Sequence, residues 1–157
     1  VATPVALKGA VPVLLFPSHA KGWMEPTLGE SRLARILVPI DHRPHPAPAF
    51  DATTLLGRAL GMKGLQVSTL HYGPTHPEVD LLETEEDWSI QHWTRDGLVV
   101  DGIIDTATRW EADLLVTVTE GRQHWLDGIR GSTVERLVRA SDLPILIVPE
   151  GWGKVRS

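Results

Sequence analysis

The residues with the clearest chemistry lie in a polar loop near the end of the chain. An apolar run, Leu114–Val118, is followed by Gly121, by nine loop residues and by the pair Gly131 and Ser132. Ser132 and Glu135 have the spacing of a capping box, which predicts that a helix begins at Ser132. Loop glycines let backbone N–H groups approach a phosphate, and a helix N-terminus adds unpaired donors and the positive end of its dipole. The stretch therefore has the pattern of an anion-binding loop.

A second candidate position is Asp41, which follows the apolar run Arg35–Ile40. Strand and helix patterns alternate along the chain, which predicts a parallel α/β sheet with right-handed crossovers. Ligands of such sheets bind at the carboxyl ends of the strands, where the chain reverses direction. Asp41 and the glycine loop would then meet in one crevice. Ordinary turn and helix-cap roles, which need no ligand, would explain the presence of Asp41 and of the loop glycines equally well.

The other polar residues predict binding rather than catalysis. Asp41, His42 and His45 lie close together in a proline-rich loop, which makes His42 and His45 weak candidates for metal ligands. Their spacing matches no strong ligand motif, so we expect no metal site. No nucleophile–base pair and no pair of carboxylates stands out along the chain.

Composition restricts the partners and the class of protein. The 157 residues suit one domain, and the net charge of −5 without a basic run argues against nucleic acid or an anionic membrane as a partner. Cysteine is absent, and no apolar stretch approaches the length of a membrane span. Val11–Phe16 is short, bounded by proline and lacks a basic leader, so we do not expect a signal peptide. The cytoplasm is the expected compartment.

Periodicity and turn residues predict the elements between these motifs. A helix should follow a stiff loop that runs through Pro48, with Asp51 as its cap and Gly61 or Gly64 at its end. A second strand is expected at Leu65–His71.

The middle of the chain predicts an edge strand and another helix. Residues 73–87 are acidic and contain prolines, so we expect a loop with at most a short helix near Val79–Glu85. Apolar and polar residues alternate weakly along Trp88–Thr94, which predicts a strand at an edge of the sheet. Apolar residues between Val100 and Ala107 recur at helical spacing despite Gly102.

Together, these motifs resemble the C-terminal half of a universal stress protein domain. Nucleotide-binding members of that family show G-x-x-G, nine residues and then G-[ST]. Gly121 matches the second glycine and Gly131 with Ser132 the closing pair, whereas Val118 stands in place of the first glycine. The pair Glu135-Arg136 also matches the family.

The resemblance extends to two strands and covers roughly residues 35–149. ILVPID at Ile36–Asp41 resembles the family's first strand and its acidic end, and LHY at Leu70–Tyr72 resembles the end of its second strand. The fold implied is α/β, with an open, mostly parallel five-stranded sheet in the order 3-2-1-4-5 and helices on both faces. An N-terminal strand would pair antiparallel at the edge.

The function implied by the resemblance is that of a stress-response regulatory module. It would bind an adenine nucleotide, ATP, ADP or AMP, at the switch point between the first and fourth strands, with at most slow ATP hydrolysis. Asp41 would accept hydrogen bonds from ribose hydroxyls, Tyr72 would lie near adenine, and the loop would hold phosphates. The implied binding residues are Pro39, Ile40, Asp41, Tyr72, Gly121, Arg122, Gly131, Ser132 and Thr133.

Two residues depart from the family pattern and leave a second function open. Val118 places a β-branched side chain where the backbone should approach the nucleotide, and Glu120 places a carboxylate beside the phosphates. Arg122 and Arg130 would offset that charge, or Mg²⁺ would bridge Glu120 to phosphate. The alternative is a universal stress protein-like domain that no longer binds nucleotide and acts through pairing, as a homodimer or tandem domain joined by its last strand.

The beginning of the chain repeats the pattern of its end. VPVLLFP at Val11–Pro17 matches LPILIVP at Leu143–Pro149, with both prolines in register. We interpret residues 1–17 as the tail of a preceding repeat or an added edge strand, 18–34 as a linker, 35–150 as the α/β domain and 151–157 as a C-terminal tail. A native N-terminal strand with the same composition is the alternative. Either way, we expect Val11–Phe16 to cover the edge strand Ile145–Val148.

Overall fold

The computed structural model describes residues 11–20, 22–23, 31–79, 87–120 and 133–153. Apolar runs rich in Val, Ile and Leu form three of the strands, RILVP, LLVTVT and ILIVP, as expected where both faces of a sheet are covered. The strands are β1 (Val13–Leu15), β2 (Arg35–Pro39), β3 (Gln66–Tyr72), β4 (Ser89–Arg95), β5 (Leu114–Thr119) and β6 (Ile145–Pro149).

The strands form one six-stranded sheet in the order β1-β6-β5-β2-β3-β4. All neighbouring strands from β2 to β6 pair in parallel. Counted from β2 as the first strand of the domain, the order is 3-2-1-4-5, which confirms the predicted fold class. The chain reverses its direction of winding between β2 and β5, which are neighbours in the sheet.

Each edge of the sheet is formed by a short or weakly buried strand. β1 pairs antiparallel with β6, with Val13 opposite Ile147 and Leu15 opposite Ile145, which confirms that the N-terminal strand covers the last one. Pairing of the chain with a second copy or a tandem domain stays a prediction. β4 forms the opposite edge, as predicted, and its side chains are mostly exposed.

Three helices of the described residues cover the two faces of the sheet. They are α1 (Ala47–Ala59), α2 (Val99–Arg109) and α3 (Thr133–Ala140). α1 packs on the face that carries Ile36 and Val38, whereas α2 and α3 pack on the face that carries Leu37. Successive strand residues alternate between these two apolar clusters, because side chains in a strand point to opposite faces in turn. None of the described helices is long and apolar enough to cross a membrane.

The predicted start of α1 was wrong. The helix begins at Ala47 with Pro46 at its N-cap, and Pro48 lies in the first turn. A proline there sacrifices no helical hydrogen bond, because the first N–H groups of a helix have no intrahelical partner. Asp51 therefore lies inside the helix and does not cap it. The predicted end is confirmed, since Gly61 follows the helix with a φ of 60°.

Two predictions fall partly or wholly outside the described residues. Of the short helix predicted near Val79–Glu85, residues 80–85 lie outside the described part of the chain. The helix start predicted at Ser132 also lies outside it, directly before α3. The helix expected after Val100 is confirmed as α2.

A single carboxylate joins the amino ends of β2 and β5. Oδ2 of Asp113, one residue before β5, accepts hydrogen bonds from the backbone N–H groups of Ala34 and Arg35, both at 2.9 Å. The backbone N–H of Asp113 in turn donates to the carbonyl of Arg35 at 2.8 Å. These contacts fix where the two central strands meet.

We predict that Asp113→Ala lowers the free energy of unfolding by about 1–3 kcal/mol, because two backbone N–H donors, one of them partly buried, lose their acceptor. Asp113→Asn retains one oxygen acceptor and should lose less. Urea unfolding at neutral pH measures both changes.

Asp105→Ala is the matched control for this prediction. Its carboxylate is exposed and pairs with Arg109 one helical turn away, so we expect a change within about 0.5 kcal/mol. An Asp113→Ala protein as stable as this control would contradict the role of Asp113.

Candidate functional site

The central feature of the site is a gap between β2 and β5. β3 pairs with β2 along the whole of Arg35–Pro39, and β6 pairs with β5 along Leu115–Thr119. The register between β2 and β5, however, contains only two pairs, Ile36 with Leu114 and Leu37 with Leu115. The two halves of the sheet are thus joined near their amino ends and are not paired toward their carboxyl ends.

Pro39 explains why this register ends. The carbonyl of Ala34 accepts from β3, and the N–H of Ile40 donates to the carbonyl of Leu70 in β3 at 2.9 Å. Backbone hydrogen bonding alternates between the two neighbours of a central strand, so Leu37 and Pro39 face β5. Proline has no N–H to donate, and the pairing with β5 therefore stops at Leu37.

Val118 presents its backbone and its side chain in different directions. In β5 the N–H of Leu115 and the carbonyl of Thr119 bond on the β6 side, so the backbone of Val118 faces β2 across the gap. Its isopropyl group is 7% exposed and belongs to the apolar cluster beneath α1. Val118 does not adopt the positive φ that a β-branched residue disfavours, because Glu111 is the one non-glycine residue of the described ranges with positive φ.

Asp41 lies just past the end of β2, at the mouth of the gap. Its Oδ1 accepts a hydrogen bond from the backbone N–H of the next residue, His42, at 2.7 Å. The side chain remains 67% exposed and is accessible to a ligand. The preceding residue, Ile40, is buried, and its carbonyl accepts a hydrogen bond from Nδ1 of His71 at 3.2 Å. His71 thus supports the backbone directly before Asp41.

Tyr72 packs against a helix. Its side chain belongs to the cluster formed with α2 and α3, and a Cβ placed on Gly102 of α2 would overlap the Tyr72 hydroxyl. Gly102 therefore allows the close approach of the ring, which explains a glycine inside a helix. These contacts support a role for Tyr72 in filling space rather than in stacking on a base.

The predicted phosphate loop is described only at its ends. Glu120 follows β5 and is exposed, and Thr133 is the exposed first residue of α3. Gly121, Arg122, Gly131 and Ser132 lie outside the described residues.

The two candidate metal ligands hold the loops around Asp41. Nε2 of His42 donates to the carbonyl of Thr75 at 3.0 Å, and Nδ1 of His45 accepts from the N–H of Ala47 at 3.2 Å. Within the described ranges, no group of three or more histidine, aspartate or glutamate side chains is arranged to hold a metal ion.

A row of four histidine rings extends from the mouth of the gap to β4. The rings of His42, His71, His76 and His92 follow one another edge to face, with centroids 5.4, 6.1 and 5.2 Å apart. Sequence reasoning missed this row. The signal was the number of histidines, seven in 157 residues, but their proximity depends on the register that places Thr69 opposite His92.

Hydrogen bonds at the far end of the row determine which ring nitrogens carry protons. Nδ1 of His76 donates to the carbonyl of Pro77 at 2.8 Å, so Nε2 of a neutral His76 accepts from the Thr69 hydroxyl at 3.1 Å. The Thr69 oxygen then accepts from Nδ1 of His92 at 2.8 Å. Loss of solvent and, to a smaller extent, the charge of nearby His76 lower the pKa of His92 below 6.5.

Comparison with known proteins identifies the class of this domain. Residues 75–149, just under half of the chain, match the model of the universal stress protein family. No curated protein matches the chain by sequence. The chain is therefore similar to universal stress proteins over residues 75–149.

Solved structures support the assignment of the fold. A universal stress protein from Archaeoglobus fulgidus DSM 4304 is 18% identical and covers 92% of this chain with a TM-score of 0.65. This chain spans only 52% of that structure. The universal stress protein UspA from Lactobacillus plantarum is 17% identical, with a TM-score of 0.55 over 76% of this chain and 99% of its own. A universal stress protein in complex with cAMP is 20% identical, with a TM-score of 0.53 over 73% of this chain and 96% of its own.

We predict that the pKa of His92 makes the fold less stable in acid. Because the folded protein lowers this pKa, the unfolded chain binds more protons below about pH 6.5, and stability falls as the pH falls through that value. Urea unfolding of the wild type between pH 8 and pH 5.5 should show the loss, and His92→Gln should reduce it.

His19→Gln serves as the control, because His19 is exposed and lies outside the histidine row. This variant should retain the loss of stability in acid. An identical pH dependence in the wild type and in His92→Gln would show that His92 does not contribute.

Proposed function

We propose that this domain is a regulatory module that binds an adenine nucleotide between the carboxyl ends of β2 and β5. The observation that carries the proposal is the register of these two strands, which ends after two pairs at the point where the chain reverses direction. In open α/β sheets this is the position at which ligands bind.

The groups around the gap suit the parts of a nucleotide. The exposed carboxylate of Asp41 is an acceptor for ribose hydroxyls. The backbone of Val118 faces the same gap. The sequence after Glu120 has the glycine-loop and helix-start pattern that binds phosphates, and α3 follows that pattern directly.

The adenine nucleotide is proposed because of the family and one of its solved members. A universal stress protein with this fold has been solved in complex with cAMP. Mg²⁺ is a suitable companion of a bound triphosphate, because Glu120 supplies a carboxylate oxygen at the end of β5 and hard cations prefer oxygen ligands. Regulation requires binding alone, and hydrolysis, if present, would be slow.

The alternative function, pairing without a nucleotide, was motivated chiefly by Val118. Its side chain fits the apolar cluster beneath α1, and its strand geometry does not require glycine. The structural objection to nucleotide binding at residue 118 is therefore weaker than the sequence suggested, and we favour the nucleotide.

Isothermal titration with ATP and AMP tests the proposal. We expect saturable binding to the wild type and at least about tenfold weaker binding to Asp41→Asn, because charge-assisted hydrogen bonds to the ribose are lost. Asp51→Asn, an exposed aspartate within α1, should bind as the wild type does.

The result that would reject the proposal is no heat at millimolar nucleotide from protein that unfolds cooperatively. Val118→Gly then distinguishes the alternative. If this variant binds ATP and the wild type does not, residue 118 has removed nucleotide binding, and the pairing function is favoured.

A further inference from the structure

A cavity of ≈ 260 Å³ lies on the other face of the sheet, between the edge strand β4 and α2. It is separated from the gap at β2 and β5, because β3 lies between β4 and β2. Its lining consists of Trp93 and Arg95 from β4 and of Asp105, Thr106, Arg109 and Trp110 from α2 and its C-cap.

Two indole rings form the apolar part of the cavity. Trp93 and Trp110 meet edge to face, with ring centroids 5.1 Å apart and an interplanar angle of 85°. Both side chains are half-buried, so each is held by the protein and still has surface available. Edge-to-face and offset contacts with a third ring are favourable in this geometry, because the ring edges are positive and the faces negative.

The charged lining leaves one cation available. Arg109 donates to Asp105 at 2.9 Å, so these two charges neutralise each other. Arg95 donates to the carbonyl of Thr94 at 3.2 Å and contacts no carboxylate within the described ranges. A guanidinium has five N–H donors in a planar arrangement that matches a carboxylate. The cavity therefore combines an aromatic surface with a net charge of about one positive unit.

We propose that this cavity binds a small planar aromatic carboxylate, with its ring on Trp93 and Trp110 and its carboxylate on Arg95. Sites for drug-sized ligands occupy roughly 300–1,000 Å³, so a smaller cavity suits a single fused-ring acid. A net charge of about one positive unit balances one carboxylate and not the several negative charges of ATP, which separates this ligand from ATP. The domain would then recognise two ligands at separate sites, a role beyond nucleotide binding.

The experiment is a titration of the isotope-labelled protein with 2-naphthoate, monitored by the indole N–H signals in two-dimensional NMR. The signals of Trp93 and Trp110, assigned with single Trp→Phe variants, should shift with a Kd of about 1 mM or tighter. Saturating ATP should not displace 2-naphthoate, which keeps this test independent of the nucleotide site.

Arg95→Gln should weaken the binding by about tenfold, whereas Arg136→Gln, an exposed arginine on α3, should leave it unchanged. Two analogues test the same contacts without a variant. 2-Naphthalenemethanol lacks the charge and cyclohexanecarboxylate lacks the aromatic ring, and both should bind about tenfold more weakly. The proposal is overturned if neither indole signal shifts, if the neutral analogue binds equally well, or if Arg95→Gln, correctly folded, binds as the wild type does.

Discussion

The site depends on the incomplete pairing of β2 with β5. Asp113 holds the amino ends of these strands together through the N–H groups of Ala34 and Arg35. The pairing stops at Leu37, because Pro39, two residues further on, has no N–H to donate to β5. β2 and β5 are thus paired at their amino ends and are not paired toward their carboxyl ends, where a ligand would enter. A proline placed elsewhere in a central strand would interrupt the core.

The polar elements around this opening are connected to one another. His71 is buried and supports the carbonyl of Ile40, which precedes Asp41. From there the row of histidine rings reaches His92 on the edge strand, through the hydroxyl of Thr69. The aromatic cavity with Arg95 lies on the opposite face of that edge strand, apart from this row.

Sequence reasoning predicted the strands because their signals are local or regular. Continuous apolar runs marked β2 and β5, and the repeated proline-bounded pattern of Val11–Pro17 predicted that β1 would cover β6. The start of α1 was missed because proline was treated only as a helix breaker, although it fits the first turn. Asp41 at the end of β2 was placed correctly from sequence, whereas its role as a ligand acceptor stays a prediction.

The remaining features depend on contacts between distant residues. Whether Pro39 faces β3 or β5 follows from the hydrogen-bonding register and is invisible in the sequence. The same register puts the isopropyl group of Val118 in the core and its backbone at the gap. Tyr72 meets Gly102 and Trp93 meets Trp110 only after α2 folds back on the sheet, so neither contact has a sequence signal.

A crystal structure of the protein grown with ATP would show whether the nucleotide binds where β2 and β5 part. We expect the nucleotide to lie between Asp41 and the backbone of Val118, and the pairing of β2 with β5 to end at Leu37. A nucleotide bound elsewhere, or a β2–β5 register that continues past Pro39 and closes the gap, would contradict this expectation.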